Sequence, residues 1–489
     1  MELKVKKIGL GAGRPVAFLS ERTAKKLNVH IGERIEISFN KKKLVAVVDI
    51  IKTYLDGDEI SLSEEIISYL KVKSGDYAKV NLALEPRSTR YITKKLNGRI
   101  LSKKEIFCIV NDIVDNSLTE AEIAYFVSGV YEKGMNMQEK IYLTEAMYKT
   151  GEILKWKGKK IIDKHSIGGI AGNRTTPIVV SICAAAGLIM PKTSSRAITA
   201  PAGTADTMET ITRVDLSASE LKKVVNKVGA CLVWGGGLGM APADDKLIRV
   251  ERLLGLDPES QLIASIMSKK LAVGSNYVLI DIPYGPGAKV SREEGEKLRK
   301  KFIAIGNHFH VKVNVVLTDG SQPIGNGLGP VLEMRDILRV LRRDNPPKDL
   351  EEKSLLLAGE IFEMTGKTRK GEGKSLALKI LDSGNALKKF KEIIAAQGKK
   401  DSFLKEAKFR HEIKSSHTGK ISSIDNKLIN YLARILGCPT DKSAGIYLYR
   451  HKGEKLFKGE PLLVIYSESD KKLKEALNFF MESKPILID

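Results

Sequence analysis

The sequence predicts a multidomain α/β protein: an N-terminal β-rich repeat barrel, a helical lobe, an α/β lobe with a mixed or mostly parallel sheet, and a C-terminal α+β domain. Three observations lead to this fold class. The chain has 489 residues, too many for one hydrophobic core, so three or four compact units are expected. An internal repeat fills residues 1–84. Farther along, short apolar runs alternate with helical stretches, which is typical of a parallel sheet covered by helices.

The N-terminal repeat consists of two related halves. The tripeptide Leu-Ser-Glu at residues 19–21 precedes Gly32 by the same interval as its copy at residues 62–64 precedes Gly75, and alternating apolar positions follow each glycine. This spacing predicts two strand-helix-turn-strand units, which together resemble a small double-psi-type barrel. Because no residue pattern here has catalytic spacing, we expect residues 1–84 to form an assembly domain.

Residues 85–155 are predicted to form the helical lobe. Apolar residues such as Ile106 and Ile109 recur there at helical intervals. Thr119 and Glu122 have the spacing of a capping box, so this carboxylate is expected to have a structural role.

The α/β lobe is predicted over residues 156–400 and the C-terminal β-rich domain over residues 412–489. Within the lobe, four apolar runs are expected to be strands and three amphipathic stretches to be helices. The expected strands are Ile178–Ala184, Cys231–Trp234, Tyr277–Ile282 and Val311–Leu317, and the helices lie near residues 217–228, 293–305 and 330–343. In the C-terminal domain, short β-like runs lie around Ile421, 446–449 and 462–466, and a Gly-Pro-containing turn separates the last two.

The composition is that of an ordinary globular protein with an excess of basic residues. Lysine and arginine total 81 against 59 aspartate and glutamate, a net charge of +22. The excess suits an anionic substrate, and the lack of interleaved aromatic residues argues against nucleic acid. The longest largely apolar run, Ile178–Met190, is shorter than the roughly 20 residues that span a bilayer. Because the N-terminus also lacks a signal peptide's apolar core, we expect a cytoplasmic protein with no membrane partner.

Metal binding is not expected. The four cysteines are far apart, and His308 and His310 have no apparent third ligand.

Two loops carry most of the residues suited to chemistry. The first, Lys164–Pro177, follows the short apolar approach Ile161-Ile162 and contains a lysine, hydroxyls and adjacent glycines, as a strand-to-loop phosphate cradle does. The second, Ser194–Glu209, combines small residues, hydroxyls, one arginine and two carboxylates. Such residues leave backbone NH groups and side-chain oxygens free to bind a phosphate or a sugar.

Together the two loops closely resemble the signatures of the thymidine and pyrimidine-nucleoside phosphorylase family, in which Lys-His-Ser-x-Gly-Gly and Ser-x-Arg-x-x-x-x-x-x-Gly-Thr-x-Asp-x-x-Glu loops hold phosphate and nucleoside. Further family-like pieces lie at residues 241–244, 265–270 and 318–325. Bacterial members carry Gly-x-Gly-His-Thr-Gly-Gly-Thr where residues 197–204 read Ala-Ile-Thr-Ala-Pro-Ala-Gly-Thr, and they lack the N-terminal segment. Both departures are similar to the archaeal AMP phosphorylase branch, whose members cleave nucleoside 5′-monophosphates.

The resemblance implies a set of site residues. The implied phosphate ligands are Lys164, Ser166, Ser194 and Thr204, and we expect Lys164 to be a solvent-facing cation. The implied nucleotide-binding residues are Gly169, Ser195, Arg196, Ala197, Ile198, Thr199, Ala200, Thr204, Ser265 and Lys289. Arg249 and Lys269 match base-contacting positions of the bacterial relatives. The motif residue His165 either orients its loop or transfers protons. Residues 242–272 are implied to fold back onto the helical lobe.

Phosphorolysis of an N-glycoside needs an anionic nucleophile and a proton for the departing base. Asp257 matches the proton-donating aspartate of the archaeal branch, and its apolar neighbours in the sequence are expected to raise its pKa and favour the protonated acid. The alternative is that this aspartate, which precedes Pro258, only caps a helix.

The predicted reaction converts AMP, with CMP and UMP as further candidates, and phosphate into free base and ribose 1,5-bisphosphate. Phosphate is a co-substrate and no cofactor is expected. The nearest alternative is a thymidine or pyrimidine-nucleoside phosphorylase acting on unphosphorylated nucleosides. A transferase using phosphoribosyl pyrophosphate comes next, although the acidic magnesium-binding pairs expected there are not evident. The remote alternative is a basic RNA-binding protein on an inactive enzyme fold. Self-association is expected as a dimer and as larger assemblies built through the N-terminal domain.

Overall fold

The chain crosses three times between two units, the first formed by residues 1–151 and 241–265 and the second by residues 152–240 and 266–489. The computed structural model describes residues 1–156, 160–197, 200–400 and 404–489. Neither unit carries a membrane-crossing element among its helices: within the described ranges, none combines the necessary length and apolarity.

Residues 1–84, all described, fold into a closed six-stranded barrel with the strand order β1-β5-β2-β4-β3-β6. Its strands are β1 Glu2–Val5, β2 Val16–Leu19, β3 Arg34–Phe39, β4 Lys42–Ile50, β5 Glu59–Leu62 and β6 Tyr77–Leu82, and its helices are α1 Glu21–Leu27 and α2 Glu64–Leu70. The units β2-α1-β3 and β5-α2-β6 are the two halves that the repeat predicted. Alternate strand residues such as Leu3, Ile35 and Val80 point inward and fill the barrel.

The rest of the first unit, residues 85–151 and 241–265, is mostly helical. Its helices are α3 Ser88–Leu96, α4 Lys103–Val114, α5 Glu120–Lys133 and α6 Met137–Lys149, together with Pro242–Leu254, which is α10 in chain order. The predicted capping box of Thr119 and Glu122 starts α5 and is confirmed. Arg34 of the barrel donates to Glu122 at 2.8 Å and to the Ser117 carbonyl at 2.7 Å, so the same carboxylate also joins barrel to helices.

The second unit contains the parallel sheet. Its first elements are β7 Ile162–Ser166, α7 Thr175–Ala185, β8 Met190–Ser194, α8 Thr204–Met208, α9 Ala218–Val228 and β9 Ala230–Trp234, followed after α10 by α11 Glu259–Val273, β10 Tyr277–Tyr284, α12 Arg292–His308, β11 Lys312–Asp319, β12 Gly327–Leu328, α13 Pro330–Arg342, α14 Lys348–Thr365, α15 Gly373–Asp382 and α16 Asn385–Gln397. Strand β10 lies between β7 and β11 and pairs with both in parallel. Strands β8 and β9 form a second parallel pair. The predicted parallel sheet is therefore present.

One predicted strand is wrong. Residues Ile178–Ala184 belong to helix α7, not to a strand. Residues 175–184 of this helix are all buried, so its side chains are almost uniformly apolar and small. An apolar run without periodicity cannot distinguish a buried strand from a buried helix, and here the surrounding helices α14 and α16 enclose a helix.

The C-terminal region combines antiparallel strands with two helices. Its elements are β13 Phe409–Lys414, β14 Gly419–Ile424, α17 Asn426–Leu436, β15 Gly445–Leu448, β16 Lys455–Leu456, β17 Pro461–Ser467, α18 Asp470–Ser483 and β18 Ile486–Ile488. Strand β12 from the α/β region pairs with β15, giving the order β12-β15-β17-β13. The C-terminal sheet is thus completed by a strand that precedes its partner β15 by more than a hundred residues.

Asn426 connects this region to two loops at the carboxyl end of the parallel sheet. Its fully buried amide accepts from the Ala171 NH at 3.2 Å and donates to the Gly320 carbonyl at 3.0 Å. Ala171 lies in the first predicted loop, and Gly320 follows β11. One side chain therefore satisfies buried backbone groups of both loops.

Replacing Asn426 with alanine should destabilise the second unit. Two buried backbone groups would lose their partners, at a cost of about 1–3 kcal/mol each. Urea unfolding measures the loss, and Lys427→Ala, at the exposed neighbouring position, is the control and should change the midpoint little. Equal midpoints for the two variants would show that Asn426 does not hold these loops.

Candidate active site

The first loop joins the end of β7 to the start of α7. Gly168 and Gly169 have φ values of +84° and +91°, a backbone conformation that favours glycine. The chain then reaches Thr175, the first residue of α7. A loop that runs from the carboxyl end of a parallel strand to a helix N-terminus presents NH groups to an anion.

Lys164 lies at the base of this loop and is only 1% exposed. Its Nζ donates to Thr175 Oγ1 at 2.8 Å. Burial lowers the pKa of Lys164 to about 8, while the carboxylate of Asp281 acts in the opposite direction. The expectation of a solvent-facing cation is therefore wrong: the strand places Lys164 inside the sheet edge. Thr175 was missed by the sequence reasoning, although its place at the start of α7 could have indicated it.

His165, the next residue, carries a neutral imidazole. Burial, followed by the nearby lysines 270, 192, 269 and 164, lowers its pKa well below 6.5. A histidine in this environment does not act as a cation near neutral pH.

Two hydroxyls predicted to bind phosphate lie at the ends of neighbouring strands. Ser166 ends β7 and Ser194 ends β8, and a parallel bridge between Ile161 and Ile189 places these strands side by side. Buried Ser194 Oγ has no hydrogen-bond partner among the described residues. A buried hydroxyl of this kind is suited to a ligand.

Arg174 connects the first loop to the second. Its guanidinium donates to the carbonyl oxygens of Gly172 at 3.2 Å and Ala202 at 2.6 Å, and to Thr204 Oγ1 at 3.1 Å. Its Nε donates to Glu333 at 2.7 Å. Sequence reasoning missed this arginine, although it stands within the first loop. Thr204, a predicted ligand of phosphate and nucleotide, is therefore positioned by the opposite loop.

The second loop is held by its own carboxylates. Asp206 accepts from the NH groups of Ala197 at 2.7 Å and Gly203 at 2.9 Å. Arg196 donates two hydrogen bonds of 2.9 Å to Glu209 and lies 5.0 Å from the Trp234 ring centroid. The side chain of Arg196, a predicted nucleotide ligand, is thus engaged within the protein.

Lys442 from the C-terminal region adds a further ion pair to the second loop, at 2.9 Å from Glu209. Foremost the hydrogen bonds from Arg196, and then Lys442, lower the pKa of Glu209 to about 2. This carboxylate therefore remains charged at any physiological pH.

The remaining predicted residues of the second unit lie close to these loops. A Cβ on Gly169 would meet Lys289 Cγ at 2.8 Å, so these two predicted nucleotide ligands are neighbours. Lys269 lies near enough to His165 to affect its pKa. Ser195 is exposed, and Ala200 is half-buried. Ile198 and Thr199 lie outside the described residues.

The first unit contains three predicted residues. Asp257 is exposed in the turn between α10 and α11, beside Leu253 and Leu254, which are themselves 72% and 41% exposed. Arg249, a predicted base contact, donates to the Gly13 carbonyl of the barrel at 2.6 Å. Ser265 lies half-buried on α11.

The described residues include no group of three or more His, Cys, Asp or Glu side chains arranged to hold a metal ion.

Comparison with known families and proteins shows the family to which the chain belongs. Residues 89–151 match the helical bundle domain of the glycosyl transferase family, residues 158–387 match its a/b domain, and residues 420–486 match the pyrimidine nucleoside phosphorylase C-terminal domain. Relatives named AMP phosphorylase match the whole chain. That of Pyrococcus furiosus is 42% identical over 494 residues, covering 100% of this chain and 98% of the relative. The chain belongs to the AMP phosphorylase family.

Other relatives agree with this assignment. The AMP phosphorylase of Methanocaldococcus jannaschii is 44% identical over 462 residues, or 94% of this chain and 92% of the relative. Family membership identifies the chain as an enzyme of the pentosyltransferase class. The solved structure of anthranilate phosphoribosyltransferase from Thermus thermophilus has a TM-score of 0.54 at 18% identity, covering 63% of this chain and 98% of that one. This likeness shows a shared fold.

The Glu209 ion pairs predict a specific loss of stability in acid. The pKa of this group is lowered by folding, so its contribution is present above the unfolded value of 4.5 and is lost as the pH falls toward about 2. Glu209→Gln should lower stability by about 1–3 kcal/mol at pH 7. Urea midpoints at pH 7, 5 and 3 should show its difference from wild type shrinking. The control Glu475→Gln, at an exposed glutamate of α18, should stay close to wild type throughout, and a pH-independent effect at Glu209 would contradict the assignment.

Proposed function

We propose that this chain catalyses phosphorolysis of nucleoside 5′-monophosphates, with AMP as a substrate and CMP and UMP as further candidates, giving free base and ribose 1,5-bisphosphate. The observation that carries the proposal is the presence of buried Lys164 on β7 and of the unpartnered Ser194 hydroxyl at the end of the adjacent strand β8. A buried cation and a free hydroxyl donor suit a phosphate anion. Family membership supplies the reaction class. Inorganic phosphate is the proposed co-substrate, and no cofactor is invoked.

The two loops have different roles in this proposal. Lys164, Ser166, Ser194 and Thr204 bind the attacking phosphate. The second loop, with Gly169 and Lys289, holds the nucleotide. Its backbone geometry supports this role because Asp206 and Arg174 fix the loop from opposite sides. A nucleophile and a sugar held in fixed orientation account for a large part of such a rate acceleration.

Asp257 is the proposed general acid. Its support is the match to the proton-donating aspartate of the archaeal branch, together with a carboxyl group that is exposed and therefore accessible to a substrate. A proton delivered to the leaving base makes departure of the base easier. Ser265, Arg249 and Lys269 remain proposed contacts to the nucleotide and its base.

Release of adenine from AMP should require phosphate or arsenate. The assay follows free adenine with AMP or adenosine as substrate, with and without phosphate, since adenosine separates this reaction from that of a nucleoside phosphorylase. Steady adenine release without either anion would mean hydrolysis, and preference for adenosine would favour the nucleoside phosphorylase alternative.

Lys164→Met should lower kcat/KM for phosphate by about 10²-fold or more. Its melting temperature should not fall, because a buried lysine whose pKa is lowered to about 8 makes the folded state less stable below that pH.

Asp257→Asn should lower turnover strongly while AMP binding stays largely intact. Asparagine is nearly isosteric but cannot donate a carboxylic proton, and general acid catalysis contributes about 10² to 10⁴ in rate. The measurement is kcat for AMP together with a thermal melt. A helix cap would behave differently, since asparagine caps about as well as aspartate. Turnover near that of wild type would assign Asp257 to structure.

The N-terminal barrel is the proposed assembly domain. It exposes large apolar side chains, including Leu84 at 89%, Ile31 at 65% and Tyr77 at 59%, which is typical of contact surfaces. Deleting residues 1–84 should change the number of subunits, which sedimentation measures. The deletion leaves both loops of the second unit intact, so they should remain capable of the reaction. An unaltered subunit number would refute the assembly role. Loss of activity together with assembly would show that subunit contacts support catalysis.

A further inference from the structure

A buried carboxylate lies at the centre of the parallel sheet, beside the proposed phosphate site. Asp281 is on the middle strand β10 and is fully buried. Its register partner on β7 is Ser166, whose side chain helps to lower the pKa of the Asp281 carboxyl. From the other side, Thr318 Oγ1 at the end of β11 donates to Asp281 Oδ1 at 2.6 Å. Asp281 therefore contacts both neighbouring strands at the edge where phosphate is proposed to bind.

Two lysines share this carboxylate. Lys353 on α14 lies 3.2 Å from Asp281 Oδ2, and apart from this ion pair its ammonium group has no hydrogen-bond partner in the described part of the chain. Lys164 stands two residues before Ser166 on β7, so it projects from the same face of the sheet as Asp281 and the two charges interact. Both lysines are buried. Because a buried charge is costly without a counter-charge, each depends on the same aspartate.

Other cations near Lys164 have carboxylate partners of their own. Arg174, which precedes α7, pairs with Glu333 at 2.7 Å, and Lys270 on α11 shares Asp163 with Lys192. Among the groups that act on Lys164, the carboxylate of Asp281 favours its charged form, and Lys353, Arg174 and Lys270 oppose it. Because Lys164 and Lys353 have only Asp281 as a common counter-charge, a bound phosphate would supply negative charge that this cluster lacks.

We propose that Asp281 is a positioning residue of the phosphate site: its carboxylate is the counter-ion that keeps the Lys164 ammonium charged and in place for phosphate, and Lys353 opposes it. This inference rests on the proposed function, since it takes Lys164 as a phosphate ligand. Thr318 and Lys353 engage the Asp281 carboxylate, so the Ser166 hydroxyl stays available to donate to phosphate.

The proposal predicts opposite effects for two substitutions. Asp281→Asn removes the charge that raises the pKa of Lys164, so the fall of phosphate kcat/KM on the alkaline side should move to lower pH, by about one unit or more. Lys353→Met removes a charge that lowers this pKa, so the same limb should move to higher pH. A one-unit shift means an about tenfold lower kcat/KM for Asp281→Asn above pH 8. A purely structural role would not move the two limbs in opposite directions.

A matched control is available on α13. Asp336 is also buried, and its carboxylate accepts from the NH groups of Asn326 at 2.8 Å and Gly327 at 2.6 Å. Asp336→Asn should therefore cost stability while the alkaline fall of kcat/KM stays at the wild-type pH. Should Asp281→Asn fail to fold, the double variant Asp281→Asn/Lys353→Met removes both charges of the pair, which is often tolerated. For this double variant, kcat/KM for phosphate should fall on the alkaline side at a lower pH than it does for Lys353→Met alone.

Calorimetric titration with inorganic phosphate across the same pH range separates this inference from the reaction. If wild type releases no adenine, the proposed function fails, but the phosphate titrations still test Asp281. The role of Asp281 would be overturned if the alkaline fall in kcat/KM and in phosphate binding came at the same pH in all variants. It would also be overturned if that pH moved in the same direction for Asp281→Asn and Lys353→Met. Opposite shifts in both kinetics and titration would establish it.

Discussion

The side chain of Arg174 is the contact on which both loops of the site depend. Its guanidinium bonds to Gly172 in one loop and to Ala202 and Thr204 in the other. Glu333, buried behind it, supplies the counter-charge without which a cation in this position would be strongly destabilising. Because the loops follow the adjacent parallel strands β7 and β8, one side chain fixes both against the same sheet edge.

The buried lysines beside the candidate site lower the stability of the fold. Burial lowers the pKa of Lys164 to about 8 and that of Lys270 to about 7, which means that each charged lysine destabilises the folded state near neutral pH. The surrounding apolar core, centred on helix α7 and including Phe362 and Phe390, offsets this cost through buried area. Such a division between a strained site and a stable scaffold is common in enzymes.

Local patterns in the sequence predicted local structure well. The repeat in residues 1–84 and the capping box at Thr119 depend on short-range spacing, and both are present. The failures involve tertiary contacts. Whether Ile178–Ala184 is helix or strand depends on what encloses it, and the burial of Lys164 depends on the neighbouring strands. Arg174 could be read as a loop residue, but its bridging role exists only once the two loops meet.

The pairing of β12 with β15 has a consequence for how the chain can change during evolution. The C-terminal sheet takes this strand from Gly327–Leu328, while Asn426 and Lys442 extend back to the two loops. Residues after 404 are therefore not an interchangeable module. Recombination that replaced them with the corresponding part of a distant relative would also have to carry a matching β12 and matching loops, so these separated stretches are expected to be inherited together.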